Sequence, residues 1–172
     1  EHAALAADVE RMARKISIDH SDTDAACKLL VQTLGNAGLL EHTASLEGTL
    51  DVRSLCRSRE ILARHDGLAD FSFAMQGLGT GAISLFGSPE QRQEWLPQTR
   101  AGAVISAFAL TEPGSGSDVA SNTMTATRDG NHFVLNGEKT WISNGGIADL
   151  YTVFARSEDA PGVKGMSAFL VT

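Results

Sequence analysis

The sequence predicts an α+β fold in which an N-terminal, all-helical bundle, residues 1–102, precedes an antiparallel β-sheet domain, residues 103–172. Apolar residues recur every three or four positions as far as Gly102, which is typical of amphipathic helices. After Ala103 the apolar period becomes two, and the Asp-Gly and Asn-Gly pairs of hairpin turns appear. No helical crossover separates the expected strands. This excludes a parallel Rossmann sheet and favours an antiparallel meander, part of an incomplete β-barrel.

Three apolar stripes predict the first helices of the bundle, within residues 5–16, 26–37 and 52–62. Ser21, with Asp24 three residues later, predicts the start of the second helix, and Gly38 predicts its end. The clearest helix start is Ser88-Pro89-Glu90-Gln91. Here Ser can cap the helix, Pro fits its first position and Gln can complete a capping box.

Three glycines, Gly77, Gly79 and Gly81, interrupt the apolar run 71–86, which otherwise predicts a buried helix. Each glycine costs about 1 kcal/mol relative to alanine in a helix interior. One explanation is close packing against another helix, or a break in this one. The other is room for a ligand chain against bare backbone. The sequence leaves both explanations open.

Short alternating segments predict the strands, at residues 105–109, 123–128, 131–135, 138–143, 150–156 and 166–172. Asp129-Gly130 and Asn136-Gly137 favour the positive φ angles that two-residue turns require. We therefore expect two successive hairpins within residues 123–143.

Composition narrows the possible partners and surroundings. With 14 Lys and Arg against 21 Asp and Glu, the net charge is −7, which makes nucleic acid an improbable partner. No apolar stretch approaches the roughly 20 residues of a membrane span. Cys27 and Cys56 predict free thiols in a reducing compartment, and the five histidines do not cluster as metal ligands. Because residue 1 is not Met and the sequence ends within an expected strand, we expect a piece of a longer polypeptide.

The loop after the first expected strand is dense in glycines and hydroxyls, and reads Leu110-Thr111-Glu112-Pro113-Gly114-Ser115-Gly116-Ser117-Asp118. Glycines let backbone N–H groups converge on an anion, and hydroxyls add further donors. No Gly-Lys-Ser/Thr follows, and Val119 occupies the third glycine position of the dinucleotide fingerprint. An anion or cofactor loop and an elaborate turn both remain open.

A second segment reads Lys139-Thr140-Trp141-Ile142-Ser143-Asn144-Gly145-Gly146. If it forms a strand, Trp141 and Ser143 leave the same face. An indole and a hydroxyl placed there could border a flat heteroaromatic ring and hydrogen-bond its edge. A core tryptophan beside a serine at the strand end is the alternative.

Taken together, the two segments resemble signatures of the acyl-CoA dehydrogenase family, a group of FAD-dependent flavoenzymes, at the usual separation. The helical half is similar to the family's N-terminal bundle, notably at Leu85-Phe86-Gly87-Ser88-Pro89-Glu90-Gln91. The resemblance implies that residues 1–102 are the N-terminal helical domain and residues 103–172 the first part of the middle β domain. It also implies that the family's C-terminal helical domain is absent from this chain.

By resemblance, FAD would be bound by Phe108, Ala109, Leu110, Thr111, Gly116, Ser117, Trp141, Ile142 and Ser143. Leu110 and Thr111 are implied to lie against the pyrimidine side of the flavin. Gly116 and Ser117 are implied to lie at its pyrophosphate. Ser117 is also implied to bind substrate, by touching the pantetheine or phosphate part of a CoA thioester.

The resemblance gives Trp141 and Ser143 roles at the flavin ring. Trp141 would flank the isoalloxazine, and Ser143, where family members often have Thr, would hydrogen-bond near N5. In the family a carboxylate from the C-terminal domain removes the α-proton, while the β-hydrogen leaves as hydride to N5. Glu112 has suitable chemistry, but its matching position lies in the FAD loop. No catalytic residue is therefore assigned within this chain.

The implied activity is the α,β-dehydrogenation of an acyl-CoA or acyl-carrier thioester in fatty acid metabolism. An electron-transferring flavoprotein would be the acceptor, in a homotetramer of the cytoplasm or, in a eukaryote, the mitochondrial matrix. Residues 41–48 replace a Tyr-Gly-Gly loop that is common in the family, so acyl length and branching stay open. An acyl-CoA oxidase and a non-catalytic flavin-binding subunit are the alternatives. Because half a β domain exposes a strand edge, we expect the remainder of the polypeptide or a complementing chain to cover it.

Overall fold

The computed structural model describes residues 2–172 and begins with five α-helices. They are α1 (His2–Ala13), α2 (Thr23–Asn36), α3 (Val52–His65), α4 (Gly67–Phe86) and α5 (Pro89–Arg100). A short 3₁₀ turn, Leu39–His42, lies between α2 and α3. None of the helices in the described part of the chain is long and apolar enough to cross a membrane. The predicted helical first half of the fold is confirmed.

The helix ends follow from local hydrogen bonding. The predicted capping box at α5 is present: the Gln91 N–H donates to Ser88 Oγ at 3.3 Å, and the Ser88 N–H donates to Gln91 Oε1 at 2.9 Å. At α2 the cap is Asp22, not Ser21, and its carboxylate accepts from the Ala25 N–H at 3.0 Å. A carboxylate at this position also interacts favourably with the positive end of the helix dipole, which a neutral hydroxyl does less strongly.

The bundle encloses an apolar cluster that includes Val9, Leu30, Leu34, Leu40, Ile61, Leu62, Phe73 and Ile105. Ile105 directly precedes the first strand, so the helical core continues into the start of the sheet. A second cluster joins Ile83 of α4 and Leu96 of α5 to Leu150, the first residue of the fourth strand. Shared apolar burial therefore joins the helices and the sheet.

The strands are β1 (Ser106–Ala109), β2 (Thr125–Asp129), β3 (His132–Asn136), β4 (Leu150–Arg156) and β5 (Met166–Val171). They form one sheet in the order β1-β4-β2-β3, with β5 paired to β4. β1 runs parallel to β4, with Ser106 opposite Leu150, and β2 meets β4 in a parallel pairing at Thr125 and Arg156. The sheet is mixed, so the expected antiparallel meander is wrong for these two pairings.

The parallel pairing forms without a helical crossover because residues 110–149 lie between β1 and β4. That length suffices for a crossover built from loops and a hairpin. No helix-linked pair of parallel strands occurs within residues 2–172, so the sheet is not of the Rossmann type. The pairings of the described strands do not close a barrel.

Of the two predicted hairpins, one forms. β2 and β3 pair antiparallel with Asp129 opposite His132, and Gly130 has a φ of 59° in the turn. The second hairpin is wrong, because residues 138–143 form no strand. The Thr140 N–H instead donates to the Thr111 carbonyl at 2.9 Å. A contact with a segment distant in sequence replaces the local pairing.

Helix α4 approaches β1 closely. The buried Gln76 donates from Nε2 to the Val104 carbonyl at 2.8 Å, and its Oε1 accepts from the Ser106 N–H at 2.9 Å. A Cβ added to Gly79 would lie 2.4 Å from Ser106 Oγ, so only glycine fits there. Thr152 Oγ1 of β4 donates to the Gly79 carbonyl at 2.7 Å. These contacts fix the position of β1 relative to the bundle.

Candidate functional site

The two sequence segments singled out above lie side by side at the end of β1. The Thr140 N–H donates to the Thr111 carbonyl, and Lys139 Nζ donates to the Leu110 carbonyl, each at 2.9 Å. The β2–β3 hairpin separates the two segments along the chain. The fold therefore brings together the glycine-rich loop and the segment that carries Trp141.

Glu112 and Lys139 form a buried ion pair between these segments, with side-chain exposures of 3% and 8% and an N–O distance of 2.9 Å. The Glu112 carboxylate also accepts from the Thr123 N–H at 2.6 Å, from Thr123 Oγ1 at 2.9 Å and from the Met124 N–H at 2.9 Å. Its burial raises the pKa, but the hydrogen bonds from Thr123, Lys139 and Met124 outweigh that effect and lower the pKa to about 2. Glu112 is thus an ionised anchor and a poor base.

The depressed pKa of Glu112 predicts a loss of stability in acid. A folded pKa of about 2 against an ordinary value of 4.5 favours folding above pH 4.5, and this contribution fades as the pH falls toward 2. We expect the difference in unfolding free energy between wild type and Glu112→Gln to shrink over that window, as measured by urea unfolding at a series of pH values. A difference that does not change with pH would contradict the assigned role.

The glycine-rich loop is a tight turn followed by open backbone. Glu112 and Ser115 exchange backbone hydrogen bonds of 2.9 and 3.1 Å, and Ser115 Oγ lies 2.6 Å from Asn122 Oδ1. Beyond the turn, Gly116 and Ser117 are exposed, and their N–H groups donate to no acceptor in residues 2–172. A Cβ on Gly116 would meet nothing within 4 Å. These donors remain available to an anion, as a phosphate-binding loop requires.

The predicted arrangement of Trp141 and Ser143 on one strand face is wrong. Trp141 has a φ of 57° and no strand forms, so the alternation of side chains does not apply. Trp141 is 90% exposed, whereas Ile142 and Ser143 are half-buried. It is therefore not a core tryptophan in this chain. A large flat apolar side chain held at the surface suits contact with another flat group.

A groove of about 650 Å³ runs beside Trp141. Ala109 of β1, Trp141 and Ile142 line it together with Leu135 and Tyr151. Three residues that the resemblance assigns to FAD are therefore adjacent. The lining is mostly apolar, which suits the body of an aromatic ligand.

Phe108 and Leu110 lie on the other face of β1. The Phe108 ring is 5.0 Å from the Phe154 ring in a groove against α4, and Leu110 lines a separate hollow beside Phe154. Alternate residues of a strand point to opposite faces, which explains why Ala109 is separated from its neighbours. The nine assigned residues therefore do not line one groove: Ala109, Trp141 and Ile142 share one, whereas Phe108 and Leu110 line hollows on the other face.

The groove against α4 has a volume of about 640 Å³ and an apolar lining that includes Gly77, Gly81 and Phe108. Gly79 lies on the opposite side of the helix, packed against Ser106. Gly79 permits close packing, but its neighbour is strand β1 and not the expected second helix, and α4 runs unbroken over Gly67–Phe86. Gly77 and Gly81 leave the helix backbone bare along the groove.

Three polar residues of the site were given no role by the sequence. Lys139 donates from Nζ to the Glu112 carboxylate at 2.9 Å, Asn122 from Nδ2 to the Leu110 carbonyl at 2.8 Å, and Asn144 from Nδ2 to the Ser106 carbonyl at 3.1 Å. For Lys139, the sequence offered one indication of its role. It directly precedes a segment that is half apolar, and a lysine buried with such a segment needs a carboxylate partner. The two asparagines resembled ordinary turn residues.

Comparison with known proteins gives two family matches. A family model described as the acyl-CoA dehydrogenase N-terminal domain matches residues 1–103, and one described as the acyl-CoA dehydrogenase middle domain matches residues 107–172. The very long-chain specific acyl-CoA dehydrogenase of Mus musculus mitochondria is 46% identical over 104 residues, which are 59% of this chain and 16% of that protein.

Solved structures of similar proteins cover nearly the whole chain. The FAD complex of acyl-CoA dehydrogenase from Bacillus anthracis superposes with a TM-score of 0.83 at 33% identity over 99% of this chain and 31% of its own. An electron transferring flavoprotein structure from Acidaminococcus fermentans gives a TM-score of 0.86 at 31% identity over 99% of this chain and 47% of its own. The chain spans less than half the length of each relative.

Proposed function

The chain belongs to the acyl-CoA dehydrogenase family, and from that premise we propose that the protein is an FAD-dependent oxidoreductase that dehydrogenates an acyl-CoA thioester between Cα and Cβ. The observation that carries the proposal is the junction of the glycine-rich loop with the Trp141 segment, tied by the buried Lys139–Glu112 pair. When bound, FAD would take up the β-hydrogen of the thioester as hydride at its N5 atom.

The residues at the junction fit FAD chemically. The unpaired N–H groups of Gly116 and Ser117 suit its pyrophosphate, as backbone donors do in other phosphate-binding loops. The exposed indole of Trp141, beside the 650 Å³ groove, suits the flat isoalloxazine. The Ser143 hydroxyl would hydrogen-bond the ring edge near N5. Ala109 and Ile142 would complete the apolar contact.

We assign the remaining predicted residues to the cofactor as well. Leu110 and Thr111 would contact the pyrimidine side of the flavin from the end of the strand. Phe108 would lie between the flavin and the apolar groove along α4, which offers room for an acyl chain. Ser117 would also contact the pantetheine or phosphate part of the thioester.

The catalytic base is proposed to lie outside this chain. Glu112 is unsuited to the role, because four donors occupy its carboxylate and its pKa is lowered to about 2. A carboxylate elsewhere in the protein would remove the α-proton. What residues 2–172 would contribute is cofactor binding and one wall of the substrate site.

The wider setting follows from the same premise. We propose a helical domain over residues 1–102 and a β domain over residues 103–172, in a homotetramer. The acceptor would be an electron-transferring flavoprotein, which agrees with the similarity to the Acidaminococcus fermentans structure. The protein would act in the cytoplasm or, in a eukaryote, in the mitochondrial matrix, as the named location of the mouse relative suggests.

Visible spectroscopy of the native protein tests the proposed function. We expect flavin bands at about 370 and 450 nm that bleach on anaerobic addition of at least one member of an acyl-CoA panel containing straight, branched and dicarboxylic chains. Rapid return of the bands when air is admitted would identify an oxidase. Thioesters of an acyl carrier protein are added to the panel to test that alternative carrier of the acyl group. Flavin that no thioester bleaches would favour a non-catalytic subunit. A protein without flavin would overturn the cofactor assignment.

A further inference from the structure

The segment Trp141-Ile142-Ser143 is held in an unusual backbone conformation. Within residues 2–172, the non-glycine residues with positive φ are Trp141 at 57° and Asn144 at 63°. They lie at the start of this segment and directly after it. A left-handed conformation is costly for a tryptophan, and such strain persists only where surrounding contacts impose it.

Those contacts join the segment to β1 at both ends. At the start, the Thr140 N–H donates to the Thr111 carbonyl at 2.9 Å. At the end, Asn144 Nδ2 donates to the Ser106 carbonyl at 3.1 Å. Thr111 lies two residues beyond the last residue of β1, and Ser106 is the first residue of that strand. The segment is therefore a strap that lies along β1 and is fastened at either end of it.

Asn144 has two separable roles in this strap. Its left-handed backbone turns the chain, and its carbonyl accepts from the Ile147 and Ala148 N–H groups at 3.0 and 2.9 Å. Its side-chain amide supplies the hydrogen bond to Ser106. Asparagine and glycine both tolerate the left-handed region, but only asparagine has the amide donor. A substitution can therefore remove one role and keep the other.

We propose that Asn144 is a positioning residue, whose amide holds the strap against β1 so that Trp141 and Ser143 meet the flavin at a fixed distance. The inference rests on the proposed function for these two side chains. Asn144 itself would touch neither cofactor nor substrate. Without its hydrogen bond the strap would stay tied at Thr140 but would lose its direct link to β1 at the Ser143 end, where the Tyr151 hydroxyl still donates to the Gly145 carbonyl at 2.7 Å.

Two substitutions in the native holoprotein test the amide. Asn144→Gly keeps the backbone conformation and removes the donor, so we expect the FAD dissociation constant to rise about tenfold. Asn144→Asp tolerates the same conformation but sets a carboxylate against the Ser106 carbonyl, so we expect a larger rise. Both variants should alter the shape of the flavin band at about 450 nm, a signature that lower stability alone would not produce.

The control is Asn131→Gly, at an exposed position in the β2–β3 turn, where we expect wild-type FAD affinity and spectrum. An FAD affinity that falls from wild type to Asn144→Gly and again to Asn144→Asp would support the proposal. If the Asn144→Gly protein binds FAD as tightly as wild type and its flavin band is unchanged, the proposal is overturned and the proposed function still stands. Wild-type protein without flavin would overturn both. If Asn144→Asp fails to fold, the comparison of Asn144→Gly with Asn131→Gly decides.

Discussion

Lys139→Met is expected to lower the free energy of unfolding by about 3–5 kcal/mol and to abolish FAD retention, because it leaves the buried Glu112 carboxylate without its cation. The substitution also removes the donor to the Leu110 carbonyl, which ties the glycine-rich loop to the Trp141 segment. Methionine fills nearly the same space as the lysine stem. The expected loss is therefore electrostatic and not a packing defect.

Chemical unfolding and flavin content after gel filtration measure the Lys139→Met effect. The matched control is Lys164→Met, at an exposed lysine with no ion-pair partner in residues 2–172, which should change stability by less than about 0.5 kcal/mol. Adding Glu112→Gln to Lys139→Met removes the orphaned charge and should recover part of the stability. If the two lysine variants unfold alike, the buried pair does not hold the site together.

The second large effect is expected at Gly79, where alanine should destabilise the protein by about 1–3 kcal/mol. Its Cβ would lie 2.4 Å from Ser106 Oγ and 2.9 Å from the Ala107 nitrogen. The second of these is a backbone atom of β1, which rotation of a side chain cannot relieve. To accommodate the methyl group, β1 must move away from α4, and the glycine-rich loop and Trp141 segment fastened to it would move too.

Gly81 provides a control on the same helix, since a Cβ there meets nothing within 4 Å. Gly81→Ala should stabilise the protein by up to about 1 kcal/mol, because alanine has the higher helix propensity. Thermal unfolding of the two variants should therefore shift in opposite directions. Shifts of the same sign would contradict the division of the glycines into packing and groove positions.

Local chemistry predicted the helical half of the fold well. The Ser88 capping box and the apolar stripes involve residues within a turn or two of each other, so they can be predicted from the local sequence alone. The miss at α2 was small, because Ser21 and Asp22 are adjacent and both can cap a helix. The Asp129-Gly130 hairpin was equally local, and it is confirmed.

The errors in the sheet have a common cause. β1 pairs parallel with β4, and the strand predicted at residues 138–143 does not form. Both outcomes depend on contacts between residues far apart in the sequence. Alternation marks a segment as able to pair but does not name its partner. For residues 138–143, the tertiary contacts of Lys139 and Thr140 took the place of a hairpin with β3.

The candidate site divides in the same way. Its residue types were recognisable from the two segments, and the family match agrees with that resemblance. The groups that hold the segments in place were not, because Glu112 and Lys139 become neighbours only after folding. The alternation of side chains along one strand could not predict how Phe108 and Ala109 lie relative to Trp141, because that depends on how the strands assemble into the sheet.

We propose that FAD binds where the glycine-rich loop meets the Trp141 strap. A crystal structure of the native protein with its flavin tests it most directly. We predict the isoalloxazine against Trp141 with its edge at Ser143, and the pyrophosphate on the Gly116 and Ser117 N–H groups. Flavin bound elsewhere, with these donors facing solvent and the Lys139–Glu112 pair intact, would contradict the claim.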